Sequence, residues 1–110
     1  MLSDNGYALR IFLGESDKYE GKPLYEWLIR KAKEIGLSGA TVIRGLEGYG
    51  AHSQIHTAKI LDLSTDLPVV VEIVDECEKI ENFLPIVESV IQQGSVVVQN
   101  VHMRIYRKHK

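Results

Sequence analysis

The sequence predicts an α+β fold in which one antiparallel sheet carries two helices on the same face. Four segments rich in β-branched and aromatic residues alternate with two segments of helical hydrophobic period, in the order β-α-β-β-α-β. A glycine follows each helical segment, where a left-handed residue commonly ends a helix. Together these observations predict a ferredoxin-like βαββαβ sandwich, also called the split βαβ plan.

The first half of the chain predicts a strand, a helix and a second strand. Residues 7–13 (YALRIFL) form the first strand, and a polar loop leads to Pro23, whose missing N–H is harmless in the first turn of a helix. Gly36 is placed to end this helix, and residues 39–46 form the next strand. The helical spacing predicts a buried stripe of four residues: Leu24, Leu28, Ala32 and Ile35.

The second half predicts an extended arm over residues 55–63, then a strand, a helix and a strand. Residues 68–74 (PVVVEIV) are too continuously apolar for a solvent-exposed edge. Residues 76–93 are helical, with Pro85 expected to bend the helix. The final strand covers residues 96–106. The buried stripe of the second helix is Ile80, Phe83, Val87, Val90 and Ile91, and one face of the final strand carries Val97, Gln99, Val101, Met103 and Ile105.

Composition limits the class of protein. The 110 residues predict a single domain over residues 1–110, and 45% hydrophobic with 25% charged residues is typical of a soluble globular protein. The net charge of −2 gives no electrostatic basis for binding nucleic acid, and no apolar run is long enough for direct membrane insertion. The single Cys77 excludes an intramolecular disulfide and is interpreted as a packed small residue. Without a signal-peptide pattern, the expected location is cytoplasmic.

One face of the predicted sheet has no cover. Both helices lie on the other face, and the element order leaves no third helix. Val70 and Val74 alternate with Glu72, either on this uncovered face or on the helix side. A partly apolar, uncovered sheet face indicates an oligomer.

Residues 40–59 (ATVIRGLEGYGAHSQIHTAK) are the most informative stretch. Its glycines allow backbone N–H groups to approach a phosphate or carboxylate, or they simply supply the turn of a hairpin. Tyr49 is expected either to anchor the loop base by packing or to contact the ligand. The stretch contains three glycines and two histidines: Gly45, Gly48, Gly50, His52 and His56.

Three long segments of the chain resemble a known family. Residues 9–28 (LRIFLGESDKYEGKPLYEWL), 39–61 (GATVIRGLEGYGAHSQIHTAKIL) and 67–85 (LPVVVEIVDECEKIENFLP) cover most of the chain. They resemble a prokaryotic, PII-like family classified only as a domain of unknown function. The chain is more distantly similar to PII nitrogen-regulatory signalling proteins, which are trimers of ferredoxin-like domains.

The resemblance implies a binding site between subunits. In PII proteins a Gly-aromatic-Gly element opens a flexible effector loop, and Gly48-Tyr49-Gly50 occupies that place here. The nucleotide lies at the base of the loop, and basic residues near the end of the last strand contact its phosphates; by position these are Arg104 and Arg107. The chain departs from PII proteins in two places. Its effector loop is shorter and lacks a clear counterpart of the tyrosine that is modified in PII proteins. Residues 92–100 lack the basic, glycine-rich phosphate loop of PII proteins.

Two further features border this site. Arg44 is a charge on a strand, so it must face solvent, a partner or a ligand, and both a trimer-interface salt bridge and a phosphate contact are open. The loop after the first strand is charged. In PII proteins this end of the sheet borders the inter-subunit cleft, but a solvated turn is the preferred interpretation of the loop here. Its polar residues are Glu15, Ser16, Asp17, Lys18, Tyr19 and Lys22.

We therefore hypothesise a PII-like regulator that binds a small anionic effector, such as an adenine nucleotide, between the subunits of a homotrimer. Its ligand would bind near the residues Arg44, Gly48, Tyr49, Gly50, Arg104 and Arg107. Binding would order residues 45–56, which would then regulate a membrane transporter, a channel or an enzyme.

The sequence is also compatible with two other functions. The first is a divalent-metal-binding trimer of the cation-tolerance type that uses His52 and His56. In an extended segment these histidines lie ~13 Å apart, so a shared ion would require adjacent chains. The second is an enzyme of unknown reaction in the same cleft. Glu72 and Asp75 are unspecific candidates for it, and the sequence has no nucleophile elbow or Walker A loop.

Overall fold

A computed structural model describes residues 5–49, 56–57, 66–106 and 108 of the chain. It contains eight strands, four of them only two residues long, and two helices within these residues. In chain order they are β1 (Gly6–Gly14), β2 (Lys18–Tyr19), β3 (Lys22–Pro23), α1 (Leu24–Glu34), β4 (Thr41–Arg44), β5 (Glu47–Gly48), β6 (His56–Thr57), β7 (Pro68–Glu76), α2 (Cys77–Val90) and β8 (Ser95–Val101).

The main sheet has the strand order β4-β7-β1-β8, and all neighbouring strands are antiparallel. Strand β1 pairs with β7 along its whole length, from Gly6 opposite Glu76 to Gly14 opposite Pro68. Strands β4 and β8 are the two edges. The four long strands and two helices thus follow the predicted β-α-β-β-α-β order, and the ferredoxin-like fold class is confirmed. The hairpins β2–β3 and β5–β6 are additions to it.

The hydrophobic core lies between the sheet and the helices. Because side chains alternate along a strand, every second residue of β1 and β7 points to the helices. The central residues of α2 pack against them and are fully buried. The core residues of these three elements are Leu9, Ile11, Leu13, Val69, Val71, Ile73, Ile80, Phe83 and Val87.

The end of α1 differs from the prediction. Leu24, Leu28 and Ala32 are buried, but Ile35 is 42% exposed. The helix stops at Glu34, and Gly36 turns the chain with a φ of 94°. The N–H of Leu37 then donates to the carbonyl oxygen of Ala32 at 3.0 Å, so Leu37 is the residue that returns to the core. The prediction of Ile35 as a stripe residue was wrong.

Three other elements, the second helix and two strands, are shorter than predicted. Helix α2 ends at Val90 because Ile91 is already extended, with ψ at 130°, and Pro85 lies inside the helix without ending it. The final strand ends at Val101, and the second long strand, β4, covers only Thr41–Arg44. Of the predicted arm over residues 55–63, only the pairing of β6 falls within the described residues.

The second face of the sheet remains uncovered by the described elements. We call it the open face; four of its apolar residues, Phe12, Ile43, Val74 and Val97, are 38–49% exposed, whereas Ala8 on the same face is buried. At its centre the guanidinium of Arg10 donates from Nε to Glu72 Oε2 at 2.9 Å and from Nη1 to Gln99 Oε1 at 3.0 Å. The alternating Val70, Glu72 and Val74 therefore lie on the face away from the helices, which decides the alternative left open by the sequence.

One carboxylate is built into the core side of the fold. Among the described residues, Asp75 is the charged side chain with no exposed surface. It accepts hydrogen bonds from the backbone N–H groups of Ser38 and Glu76, both at 2.8 Å. Asp75 therefore connects the turn after α1 to the end of β7. This is a structural role for a residue named above as an unspecific candidate for catalysis.

The described helices include none long and apolar enough to cross a membrane.

Candidate ligand-binding site

Arg44 ends strand β4 at the edge of the sheet, next to the loop after β1. Its Nη2 lies 2.8 Å from both carboxylate oxygens of Glu15. Both residues belong to the same chain, and the sequence did not predict Glu15 as the partner of Arg44. The Arg44 side chain is still 55% exposed, so its guanidinium remains accessible to a second anionic group.

The loop that carries Glu15 is held by backbone hydrogen bonds. The N–H of Glu15 donates to the carbonyl oxygen of Leu67 at 2.9 Å, and the N–H of Ser16 donates to Asp66 Oδ1 at 2.9 Å. The N–H of Gly14 donates to Asp17 Oδ2 at 3.1 Å. These contacts fix the loop, and with it the position of the Glu15 carboxylate beside Arg44.

The glycines after β4 serve a close approach of two chain segments. The N–H of Gly45 donates to the carbonyl oxygen of Pro68 at 2.7 Å, and a Cβ at position 45 would lie 2.8 Å from the Pro68 ring. Gly48 pairs with His56 in the β5–β6 hairpin. The predicted glycine turn is thus present, beside Arg44, where the chain leaves the sheet.

Tyr49 is 74% exposed, and Leu46 is equally open to solvent. Packing against the described residues therefore does not anchor Tyr49, and the choice between a packing anchor and a ligand contact stays a prediction. Gly50, His52 and Arg107 lie outside the described residues, and only the backbone pairing of His56 is described. Within the part of the chain that is described, no three His, Cys, Asp or Glu side chains are grouped to hold a metal ion.

Arg104 lies far from Arg44 in the same chain. Asn5 exchanges two hydrogen bonds with the backbone of Met103, at 2.9 and 3.1 Å, and so holds the segment after β8 beside the start of β1. Arg44 lies at the other end of β1, near Gly14. Nine residues of strand β1 separate the two ends by roughly 27 Å. A site that contains both arginines therefore requires two chains.

The structure also shows a cleft that sequence reasoning did not find. Residues 16–18 of the loop after β1 and residues 92–93 after α2 line a space of about 350 Å³. Both segments stand out in the sequence, the first as a solvated turn or a border of the inter-subunit cleft and the second as a segment without a phosphate loop. No local pattern could have joined them, because they are more than 70 positions apart in the chain.

Comparison with known protein families gives one consistent result. Residues 6–103 match the model of the DUF190 family, described as "Uncharacterized ACR, COG1993". A UPF0166 protein from Aquifex aeolicus is 54% identical over 76 residues, which are 69% of this chain and 72% of that protein. A UPF0166 protein from Methanocaldococcus jannaschii is 38% identical over 96 residues, 86% of this chain and 88% of that protein.

Solved structures resemble the chain in fold. CPII from Thiomonas intermedia K12, a nitrogen regulatory PII-like protein bound to ADP, AMP and bicarbonate, has a TM-score of 0.57 and 20% sequence identity. The similarity covers 92% of this chain and 91% of CPII. A second structure of CPII, bound to ADP and bicarbonate, has a TM-score of 0.56. This likeness establishes a PII-like fold.

Proposed function

The chain belongs to the DUF190 family, and from this membership and its PII-like fold we propose that it is a regulatory protein. It binds a small anionic effector, an adenine nucleotide, between the subunits of a homotrimer. Residues 45–56 then act on a partner such as a membrane transporter, a channel or an enzyme. The bound ADP and AMP of the structural neighbour CPII support the class of ligand.

The observation that carries this proposal is the position of the candidate residues: some lie at one edge of the sheet, and the others lie at the opposite edge. Arg44 ends the edge strand β4 and Gly48 follows it, whereas Arg104 follows the opposite edge strand β8. A ring of identical subunits brings one edge of each subunit beside the other edge of its neighbour, because its interfaces are heterologous. Arginine forks and glycine N–H groups from two chains suit a phosphate group between them.

The exposed side chains at the loop base support an interaction with a partner. Leu46 and Tyr49 are large, apolar and more than 70% exposed, next to the turn at Gly45. A ligand that binds better to one arrangement of this loop shifts the loop toward that arrangement. The effector therefore controls which surface Leu46 and Tyr49 present to the partner.

We expect Arg44→Ala and Arg104→Ala each to weaken ADP binding roughly tenfold, because each removes one charged hydrogen-bond donor. Isothermal titration at several salt concentrations measures the effect, and both variants should show a flatter salt dependence than the unsubstituted protein. Arg30→Ala is the matched control, since Arg30 is exposed on α1 and is not among the proposed ligand-binding residues. Glu15→Gln should strengthen binding, because it removes the carboxylate that pairs with Arg44.

Two results would contradict the proposed function. The first is the absence of binding of AMP, ADP and ATP at millimolar concentration. The second is thermal stabilisation by divalent cations that His52→Ala abolishes, without stabilisation by nucleotides, which would favour the metal-binding alternative.

A further inference from the structure

The cleft between the loop after β1 and the loop after α2 has the features of a binding site. We propose that it is a subsite in which Lys18 binds a phosphate or carboxylate group of the effector. This inference rests on the proposed function, which it extends to residues on the β8 side of the subunit. The cleft volume of about 350 Å³ falls within the ~300–1,000 Å³ range of small-molecule sites.

The walls of the cleft carry polar groups over an apolar base. Leu24 and Val90 line it and are buried, so the base is formed by the core. The polar residues that line it are Ser16, Asp17, Lys18, Gln92 and Gln93, of which Lys18 is the cation and Asp17 the anion. A small apolar base with a few convergent polar groups is the usual composition of a ligand site.

Lys18 is the cation of the cleft. It lies on β2, and its ammonium group forms no ion pair or hydrogen bond with another described residue. The neighbouring carboxylate of Asp17 accepts a hydrogen bond from the N–H of Gly14, so part of its hydrogen-bonding capacity is used within the loop. An anionic ligand therefore finds an ammonium group that has no partner among the described residues, in a cleft that Gln92 and Gln93 also line.

The wall formed by residues 92–93 is fixed by the glycine that follows it. Gly94 has a φ of 127°, and a Cβ at this position would overlap the carbonyl oxygen of Phe12 in β1. The connection from α2 to β8 therefore passes directly against the backbone of the central strand. A wall held in this way fixes the backbone that carries Gln92 and Gln93 before a ligand arrives, which reduces the backbone entropy lost on binding.

The position of the cleft connects it to Arg44. The cleft lies where β8 begins, since Ser95 pairs with Phe12 near the Gly14 end of β1. Arg44 lies at the same end of the sheet but on the opposite edge strand. In the ring proposed above, the cleft of one subunit therefore belongs to the end of the interface that carries Arg44 of the next subunit, whereas Arg104 lies at the other end of β8. Residues 92–100 contain no lysine or arginine, and Lys18 supplies the positive charge that this segment lacks.

The test compares two lysines of one hairpin. Lys18→Ala should weaken the binding of both ADP and inorganic phosphate roughly tenfold in isothermal titration. Lys22→Ala should leave both affinities within about twofold, because Lys22 lies on β3 and does not line the cleft. In addition, amide NMR signals of Ser16, Lys18, Gln92 and Gln93 should shift when inorganic phosphate is added to the unsubstituted protein.

The outcomes separate this inference from the proposed function. If ADP binds and Arg104→Ala weakens it while Lys18→Ala does not, the subsite is wrong and the proposed function stands. If phosphate shifts the cleft signals and Lys18→Ala abolishes this, but no nucleotide binds, the subsite stands and the nucleotide proposal fails. If the unsubstituted protein binds neither ligand, both are overturned.

Discussion

Phe12→Asp is expected to convert the proposed homotrimer into monomers. Phe12, Val70 and Ile43 lie in one row across β1, β7 and β4, on the open face of the sheet. If subunits meet through this face, the substitution places an unpaired carboxylate inside each interface, at several kcal/mol per subunit. Because Phe12 is 40% exposed within one chain, the same substitution should leave the fold of the monomer intact.

Light scattering at micromolar concentration measures the mass of the assembly, and circular dichroism checks the fold. Asn82→Asp is the matched control, since it adds the same charge at an exposed position of α2, on the helix side of the sheet. A monomeric mass for the unsubstituted protein would contradict the assembly proposal. An unchanged mass for Phe12→Asp would show that subunits do not meet through the open face. Nucleotide binding should be lost together with the trimer, because the site needs two chains.

The charged residues on the open face are compatible with its role as an interface. Arg10 pairs with Glu72 and donates to Gln99 within the same chain. These partners already satisfy part of the hydrogen-bonding capacity of both charges before any second subunit approaches. Covering an ion pair whose members are bonded to each other avoids the larger penalty of burying one unpaired charge. The central polar cluster therefore fits beside the apolar side chains that surround it.

Much of the fold could be predicted from the sequence because its signals are local. The helical spacing of Leu24, Leu28 and Ala32 gave a buried stripe that the structure contains, and the continuous apolar run of β7 marked a central strand. The errors fall at the ends of elements. Ile35 fits the helical period as well as the others, but the turn at Gly36 brings Leu37 into the core instead. Tertiary packing determines where a helix ends, and the hydrophobic period of the sequence does not.

The site was less predictable because its contacts join distant parts of the chain. The glycines and Arg44 could be selected as candidates, since their residue types and spacing are visible in the sequence. The partner of Arg44 could not, because Glu15 is 29 positions away and belongs to a loop that resembled a solvated turn. The cleft at Lys18 depends on the meeting of two loops that only the folded sheet brings together.

Asp75→Ala is expected to lower the free energy of unfolding by about 2–4 kcal/mol at neutral pH. The buried carboxylate accepts hydrogen bonds from the N–H groups of Ser38 and Glu76. Removing it leaves both donors without their acceptor, at ~1–3 kcal/mol for each donor that stays buried. Chemical denaturation measures the loss, and Glu78→Ala is the control because Glu78 is exposed in the first turn of α2.

The pH dependence of Asp75→Asn tests the charge of this carboxylate separately from its shape. Burial alone raises the pKa of Asp75, but the hydrogen bonds from Ser38 and Glu76 outweigh burial, so its pKa lies below the ordinary value. A lowered pKa in the folded state means that the carboxylate stabilises the fold fully above its unfolded pKa of ~3.9. This contribution is lost as the pH falls through the lower, folded pKa.

The difference in unfolding free energy between the unsubstituted protein and Asp75→Asn should therefore be constant near neutral pH and shrink below about pH 4. A series of urea denaturation curves from pH 7 to pH 3 measures this difference. Glu78→Gln should run parallel to the unsubstituted protein across the series, since it removes an exposed charge. If instead Asp75→Asn runs parallel throughout, the ionised carboxylate of Asp75 does not hold the turn at Ser38, and its neutral form would serve equally well.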